Sequence, residues 1–599
     1  MPAELTGEWT HIVNQPVAQV WPILSDTVRF NEMSGLPRYV LSETPQPDGS
    51  VRRVALGRVA RYDLQWEELP VEWVAERYFF QRRLFLNGPL RHMDASLTLA
   101  PCEEGTKATY QIAIAARYPL LGPYVAGRLI RGAERTFAKA VQGADGFLSR
   151  TQAQAFELQQ PVLMPGGESR AREITNFLRS GPYDHGLSDR IMSLVLRAPD
   201  ADACRIRPRA LARIWGVEQR HVIEICLAAV RSGLLRLTWD ILCPRCRGAK
   251  ASTVRLDLLV REAHCPSCNV AFDADFNKNV ELTFHPAATL RECAAGEYCL
   301  SGPQTTPHVW LQQNLAAGET RKIAASHSPG AYRLRTLSPG PEYEFSYKGG
   351  GVSSMALTRH GLVTRDVEAE GSITLANETG RPQTFIIEDR EWIKDALTAH
   401  QVTSLHTFRH LFPDQVLRSG EELSIDSVSL MFTDLQGSTA LYREIGDGPA
   451  YQRVREHFEF LIDIVRAHDG ALVKTIGDAV MAAFTSPQQA VRAALAVQEK
   501  ISALNRLPDN TAIHIKIGLH YGRCIVVNLN ERLDYFGTTV NLSARLQAQS
   551  RGGDIVLSEE LASDPLVTPM LEGLSWTQET TTLKGFAQAI SFRRISADV

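Results

Sequence analysis

The sequence has little of what would place it in a membrane or outside the cell. No uninterrupted apolar run approaches the ~18 residues of a transmembrane helix, and no charged, then apolar leader opens the chain. Ten cysteines in 599 residues are too sparse for a disulfide framework. Four of them form two Cys-x-x-Cys pairs, which favours metal-binding thiolates in a reducing compartment. We therefore expect a cytoplasmic protein without a membrane span.

An excess of one charge is also missing. The 64 Lys and Arg residues against 67 Asp and Glu residues give a formal net charge of -3. This balance gives no reason to expect global attraction to nucleic acid or to an anionic membrane. At ~100–200 residues per domain, the length predicts roughly three to five domains. The fold class that the sequence predicts is a multidomain α+β protein.

Residues 1–150 form a self-contained pattern. A strand and a short amphipathic helix over Pro16–Asp26 precede several antiparallel strand-like runs, and from Tyr124 to Phe147 the apolar spacing becomes helical. This order resembles the START-like helix-grip fold of polyketide cyclases and lipid carriers. The resemblance implies a curved sheet around a long helix and a cavity for an apolar small molecule. The residues leave open whether Trp21 and Trp66 instead fill a solid core.

Two further patterns follow a Pro- and Gly-rich linker at 159–169. The first part of 170–282 resembles a winged helix, with helix, turn, helix and strand in that order. Only Arg220, His221 and Arg231 supply positive charge on its second helix, a thin footprint for a phosphate backbone. A structural or protein-contact role is therefore favoured over DNA binding, and nucleic acid is not an expected partner.

The two cysteine pairs lie in the second part of this segment. Cys243 and Cys246 are separated from Cys265 and Cys268 by eighteen residues, a spacing typical of a zinc ribbon. Four thiolates would close the coordination shell, so we predict one structural Zn²⁺ without a catalytic role. The alternative is four reduced thiols without metal.

Residues 283–400 carry strand-sized apolar runs separated by Gly and Pro, a spacing typical of a small β-sandwich. We find no group of chemically functional residues there. Residues 401–424 follow as a helical connector, with one helix predicted to end near Phe412.

Two acidic residues dominate the stretch from Val428 to Phe484. Asp434 ends an apolar strand-like run and precedes Gly437 and helix-capping hydroxyl residues, whereas Asp478 lies in a Gly-Asp turn between two strand-like runs. Two carboxylates beside a helix N-terminus suit divalent cations and a polyphosphate.

The domain that holds these residues, 425–599, resembles the class III nucleotidyl cyclases. Five motifs carry the resemblance in order: MFTDLQGST, VKTIGDAVMAAF, IGLHYGRC, LDYFGTTVNLSARL and LKGF. The resemblance implies a ferredoxin-like βαββαβ fold and conversion of a nucleoside triphosphate to its 3′,5′-cyclic monophosphate and pyrophosphate.

The resemblance also implies roles for individual residues. Asp434 and Asp478 would bind two Mg²⁺ or Mn²⁺ ions per active site. Asn541 would orient the ribose, and Arg545 would stabilise charge in the transition state. The phosphates would be bound by the backbone amides of Leu435, Gln436 and Gly437. The basic side chains of Arg523 and Lys584 would bind the terminal phosphates.

Base choice follows from two further positions. Lys474 and Asp534 match the purine-contacting positions of the family. Adenine offers an acceptor at N1 and a donor at N6, which a lysine and an aspartate complement. The pair therefore favours ATP over GTP, with a guanylate cyclase as the alternative.

The family builds each active site from two subunits. The metal-binding aspartates come from one subunit, and Lys474, Asp534, Asn541 and Arg545 come from the other. Because this chain carries both half-sets, we predict a head-to-tail homodimer with two sites. The leading hypothesis is an adenylate cyclase with N-terminal regulatory domains. The other reading is a non-enzymatic DNA- or protein-binding regulator with a silent cyclase-like domain.

Overall fold

The structure, a computed structural model, is built of five parts that follow one another along the chain. It describes residues 4–47, 49–59, 62–119, 121–293, 302–324, 327–349, 354–365, 372–391, 393–418, 420, 422–505 and 512–596. No helix among these residues combines the length and the apolar character that membrane crossing requires.

The N-terminal module (4–148) is a curved antiparallel sheet packed on one long helix. Ala133, Phe137, Ala140 and Ala144 recur every three or four residues along that helix and are buried, which gives it one apolar stripe. Its elements are β1 Glu4–Val13, α1 Val17–Leu24, α2 Thr27–Met33, β2 Tyr39–Pro45, β3 Val51–Val59, β4 Tyr62–Glu68, β5 Glu72–Val74, β6 Tyr78–Phe85, β7 Leu90–Cys102, β8 Gly105–Ala116 and α3 Leu121–Leu148.

The N-terminal module is not solid. An apolar cavity of about 150 Å³ lies between the sheet and α3, and Tyr39, Trp66, Phe85 and Leu129 are among its lining residues. A second, more polar cavity of about 280 Å³ shares Leu129 and other lining residues with the first. The module therefore has internal space for a small molecule.

The middle module (167–286) contains five helices and a three-stranded sheet of order β10-β9-β13. The predicted domain boundary at residue 282 falls inside β13, whose pairing with β9 places the strand in this module. Its elements are α4 Gly167–Arg179, α5 Ser188–Arg197, α6 Asp200–Ala203, α7 Pro208–Trp215, α8 Gln219–Arg231, β9 Leu235–Leu242, β10 Ala249–Thr253, β11 Glu262–Cys265, β12 Val270–Asp273 and β13 Val280–Pro286.

One disulfide was not anticipated from the sequence. Cys204, which follows α6, is bonded to Cys293, which follows β13. The cysteine spacing predicted no disulfide framework and indicated no partner for either of these two cysteines. The two residues are 89 positions apart, and no local spacing pattern connects them.

The β-rich module (309–389) is a pair of packed sheets. Strands β14-β21-β16-β17 form one layer and β15-β20-β18-β19 the other. Its strands are β14 Val309–Leu315, β15 Thr320–Ala324, β16 Gly330–Thr336, β17 Glu342–Tyr347, β18 Ser354–Thr358, β19 Gly361–Arg365, β20 Ser372–Asn377 and β21 Gln383–Asp389. Because β14 also pairs with β5, this layer continues the sheet of the N-terminal module.

The connector (399–411) contains two short helices, α9 Ala399–Thr403 and α10 His406–Leu411. The single helix that the sequence predicts is interrupted at Ser404 and Leu405. A capping box between Thr398 and Gln401 fixes the start of α9.

The C-terminal module (422–595) is an eight-stranded sheet of order β23-β24-β22-β25-β27-β29-β28, with β26 paired to β25. Its elements are β22 Glu422–Leu435, α11 Ser438–Ile445, α12 Asp447–Ala467, β23 Ala471–Ile476, β24 Ala479–Phe484, α13 Pro487–Asn505, β25 Ile515–Leu529, β26 Arg532–Phe536, α14 Thr538–Gln547, β27 Ile555–Ser558, α15 Glu559–Ala562, β28 Trp576–Thr582 and β29 Ala589–Ile595.

Both faces of the central strand β22 are buried, as its nearly continuous apolar sequence indicates. Met431 and Leu435 share a core with α12 and α13. Val428, Leu430 and Phe432 instead belong to a core that also includes residues of the middle module and the connector. The C-terminal module is therefore not an isolated unit, because the preceding parts cover one face of its sheet.

Candidate active site

The structure brings Asp434 and Asp478 together. Asp434 lies near the end of β22, and Asp478 lies in the turn between β23 and β24, where Gly477 has a φ of 65°. Because β22 pairs with β24, with Thr433 opposite Val480, the strand end and the turn meet. Burial, followed by the charge of Asp478, raises the pKa of Asp434. The two carboxylates are thus close enough to repel each other.

This pair fits divalent cations. Among the described residues, no hydrogen-bond donor contacts the buried Oδ2 of Asp478. An unpaired buried carboxylate oxygen beside a second carboxylate is costly unless a cation compensates it. The donor set consists of carboxylate oxygens, which Mg²⁺ prefers.

Three neighbours of the carboxylates were not predicted from the sequence. Lys516 lies opposite Asp434 in the β22–β25 pairing, and its charge acts on Asp434 together with a hydrogen bond from Gln547. His457 is fully buried on α12, within electrostatic reach of Asp478, and burial lowers its pKa to about 4. It is therefore a neutral imidazole near pH 7. Only the strand register could have indicated Lys516, and nothing in the local sequence distinguishes His457 from a core residue.

The predicted phosphate-binding amides are partly engaged in the structure. Leu435 is the last residue of β22, and the amide of Gln436 donates to the carbonyl of His514 at 2.9 Å. Gly437 has a φ of 71° and caps α11, a conformation that favours glycine.

Lys474 and Asp534 form an ion pair. The Lys474 Nζ lies 2.5 Å from the Asp534 Oδ2, although the residues come from β23 and β26. Asp534 is 5% exposed, and its other oxygen accepts the backbone amide of Tyr535 at 2.8 Å. The two predicted base contacts are therefore adjacent within one chain.

Asn541 and Arg545 are both exposed on α14. Helix α14 packs closely on β25, since a Cβ added to Gly518 would lie 2.0 Å from the amide nitrogen of Gln547. Gln547 is the residue of α14 whose side chain reaches Asp434. At 3.6 residues per turn, Arg545 and Asn541 lie about 200° and 240° around the helix from Gln547. The predicted transition-state residues thus face away from the metal carboxylates of their own chain.

The two predicted phosphate-binding side chains lie at the surface. Arg523 is exposed on β25, and Lys584 is exposed in the turn between β28 and β29. Among the described residues, no hydrogen bond or ion pair links the side chain of Arg523 or Lys584 to Asp434 or Asp478.

The four predicted zinc ligands also come together. Their sulfur atoms all lie within 4.8 Å of one another, and the Sγ atoms of Cys246 and Cys265 are 3.8 Å apart. Four converging thiol groups fit a tetrahedral metal ion. Beside the cluster, Arg53 of the N-terminal module donates to the carbonyl of Ser267 at 2.8 Å.

Comparison with known families agrees with the geometry of the C-terminal module. Residues 421–569 match the family of adenylate and guanylate cyclase catalytic domains. This segment is a class III cyclase catalytic domain. We therefore refer to the C-terminal module as the cyclase domain. Residues 169–304 match a family of unknown function, DUF5939, which covers the middle module.

The similarity to individual proteins is confined to part of the chain. Adenylate cyclase 1 of Rhizobium meliloti is 26% identical over 220 residues, which cover 31% of this chain and 33% of the relative. An uncharacterized protein of Mycobacterium tuberculosis is 31% identical over 192 residues, which cover 32% of this chain and 46% of the relative. The crystal structure of the adenylyl cyclase CyaB from P. aeruginosa is similar with a TM-score of 0.27 and 24% identity, covering 29% of this chain and 95% of that one. The chain thus spans less than half the length of both curated relatives.

Proposed function

We propose that the protein is an adenylate cyclase that converts ATP to 3′,5′-cyclic AMP and pyrophosphate. The observation that carries this proposal is the 2.5 Å pair between Lys474 and Asp534. The pair presents an ammonium donor and a carboxylate acceptor side by side, which complements the N1 and N6 edge of adenine. Guanine reverses both groups, so the same pair would face two mismatched contacts.

The reaction needs one bond to form and one to break. The ribose 3′-oxygen attacks the α-phosphorus in line, the bond from the α-phosphorus to the bridging oxygen of the β-phosphate breaks to release pyrophosphate, and the 3′-hydroxyl proton passes to solvent water. Asp434 and Asp478 would hold two Mg²⁺ or Mn²⁺ ions, which lower the pKa of the hydroxyl and neutralise the leaving phosphates when bound. Asn541 orients the ribose, and the Arg545 guanidinium donates hydrogen bonds to the charge that develops at the α-phosphate.

The remaining proposed contacts concern the phosphates. In this proposal Arg523 and Lys584 bind the terminal phosphates, and the amide of Gly437 at the start of α11 approaches them along the helix axis. Because the amide of Gln436 already binds His514, Gly437 takes the larger part of this role.

We also propose that the active site is completed by a second copy of the chain. Support comes from α14, on which Asn541 and Arg545 face away from the side that reaches Asp434. A head-to-tail homodimer supplies these residues from the partner and produces two equivalent sites.

An assay of purified protein tests the activity and the shared site. ATP or GTP is incubated with the full chain and Mg²⁺ or Mn²⁺, and the cyclic product is measured. Asp434→Ala and Asn541→Ala should each be inactive, whereas their mixture should recover about a quarter of the wild-type activity, since half of the dimers are mixed and one of their two sites is intact.

The matched control is a mixture of Asp434→Ala with Asp478→Ala. Every site in that mixture lacks one metal carboxylate, so it should stay inactive. No recovery in the first mixture contradicts the shared site, GTP turnover without ATP turnover makes the protein a guanylate cyclase, and turnover of neither leaves the non-enzymatic regulator as the explanation.

The regulatory part of the proposal places a ligand in the N-terminal module. Its long helix, curved sheet and apolar cavity of about 150 Å³ support a START-like module that senses an apolar small molecule. The four-cysteine cluster of the middle module holds one structural Zn²⁺ in this proposal, and Arg53 of the N-terminal module contacts the Ser267 carbonyl beside it. Binding of the ligand to the N-terminal module then affects the cyclase domain through the middle module. The enzyme is cytoplasmic in this proposal.

A further inference from the structure

The connector contacts the residues on both sides of Asp534. The Nη1 of Arg409 on α10 donates to the carbonyl of Leu533 at 2.8 Å. The hydroxyl of Tyr535 lies 3.1 Å from the Oγ of Ser404, at hydrogen-bonding distance. The two residues that flank Asp534 in sequence are thus both bound to the connector.

The residues that make these contacts are buried or bound by further groups. Tyr535 is 1% exposed and Ser404 is fully buried, so few alternative arrangements are open to them. The Nε of Arg409 donates to the carbonyl of Thr403 at 2.6 Å, and its guanidinium lies 5.4 Å from the centre of the Tyr535 ring. One planar group therefore bridges the connector backbone, the Leu533 carbonyl and an aromatic face, a geometry that lysine cannot reproduce.

The same helix is anchored on its other side. The hydroxyl of Thr407, two residues before Arg409, donates to Glu224 of the middle module at 2.9 Å. Residues two apart on a helix point about 200° away from each other, so α10 lies between the middle module and β26. The contacts from Arg409 to Leu533 and from Ser404 to Tyr535 therefore come from outside the cyclase domain.

We propose that Arg409 is a positioning residue for base recognition, which holds Leu533 and Tyr535 so that the Asp534 carboxylate meets both Lys474 and the base. Arg409 makes no contact with substrate in this role. The inference rests on the proposed adenylate cyclase function and goes beyond it, because it assigns part of the base selectivity to a residue outside the catalytic domain fold. It also connects the middle module to the base site, because Glu224 binds Thr407 and Arg409 binds Leu533 from the same helix, α10.

Steady-state kinetics of the full chain test this role. Arg409→Ala should raise the KM for ATP about tenfold and reduce the preference for ATP over GTP, while kcat falls less than threefold, because base contacts are misplaced and the reacting groups are not. Arg409→Lys should have an intermediate KM, since it retains one donor but not the fork. Ser404→Ala, which loses only the hydroxyl contact with Tyr535, should raise the KM by a smaller factor.

The matched control is Arg455→Ala on α12, where the arginine side chain is 57% exposed and pairs only loosely with Glu459 at 3.6 Å. It should leave both KM and kcat unchanged. An unchanged KM and ATP preference in Arg409→Ala, or a fall in kcat at constant KM, would overturn the positioning role. If Arg409→Ala does not fold, unchanged KM values in both Arg409→Lys and Ser404→Ala overturn it instead. A wild-type protein without cyclic product refutes the proposed function itself.

Discussion

Glu224 joins three parts of the molecule, and its replacement should loosen them. This carboxylate on α8 is 3% exposed. It accepts hydrogen bonds from Thr407 of the connector at 2.9 Å, from His185 at 2.8 Å and from Arg220 at 3.3 Å. Arg466 of the cyclase domain lies 3.6 Å away. The variant Glu224→Gln keeps the shape of the side chain and removes its charge.

The expected loss is about 2–3 kcal/mol. Removal of one partner from a fully buried ion pair costs ~3–5 kcal/mol. The arginine side chains here are 21% and 31% exposed, so water screens part of the charge that they are left with. The hydrogen bonds from Thr407 and His185 persist in weaker form, since an amide oxygen accepts less strongly than a carboxylate.

Hydrogen–deuterium exchange of the full chain measures this loss locally. A global free energy of unfolding is not well defined for a multidomain chain, whereas exchange reports the opening of a single segment. A loss of about 2–3 kcal/mol corresponds to roughly 30- to 150-fold faster exchange in peptides that cover α10. Glu459→Gln on α12, where the side chain is 66% exposed, is the control and should change exchange in α10 by less than about twofold. Exchange in Glu224→Gln within about threefold of wild type would refute the idea that Glu224 joins these modules.

The remaining predictions concern pH, metal and the cavity. Burial would raise the pKa of Glu224, but hydrogen bonds from Thr407 and His185 and the two arginine charges hold it below its ordinary 4.5. Its stabilisation is therefore complete above about pH 4.5 and is lost as the pH falls through the lower folded pKa. Exchange of α10, corrected for intrinsic rates, should accelerate there in wild type but not in Glu224→Gln. Cys265→Ser should lower bound zinc from one ion per chain toward none by elemental analysis, and unchanged zinc would contradict the four-thiolate site. Leu129→Trp should fill the apolar cavity and weaken binding of an apolar fluorescent dye at least tenfold, whereas equal binding would place the dye elsewhere.

The candidate site divides into residues that the sequence indicates and residues that only packing reveals. Asp434 lies near a strand end and Asp478 in a turn, whereas Lys474 and Asp534 lie within strands. All four stand in short motifs, so their chemistry is visible in the local sequence. Their meeting depends on strand order, which the structure supplies: β22 pairs with β24, and the Lys474 side chain reaches Asp534 across the sheet. The shared-site and substrate assignments stay predictions.

Contacts between modules had no counterpart in the sequence. The disulfide between Cys204 and Cys293 and the pairing of β14 with the N-terminal sheet both join residues that are far apart in the chain. The interruption of the connector helix at Ser404 and Leu405 follows no repeating pattern in the sequence. His457 gave no sign of its place near Asp478, because a histidine on an apolar helix face is typical of a core.

The sequence alone determined the kinds of element and the chemical character of the catalytic domain, because hydrophobic periodicity, turn residues and motif spacing act within one element or between neighbours in the chain. Tertiary structure decided which face of the cyclase sheet is covered. It also decided that Glu224 and Arg409 connect the middle module, through the connector, to the backbone beside the Lys474–Asp534 pair. Those outcomes depend on the packing of surfaces from distant segments, which buries apolar area without requiring any particular sequence spacing.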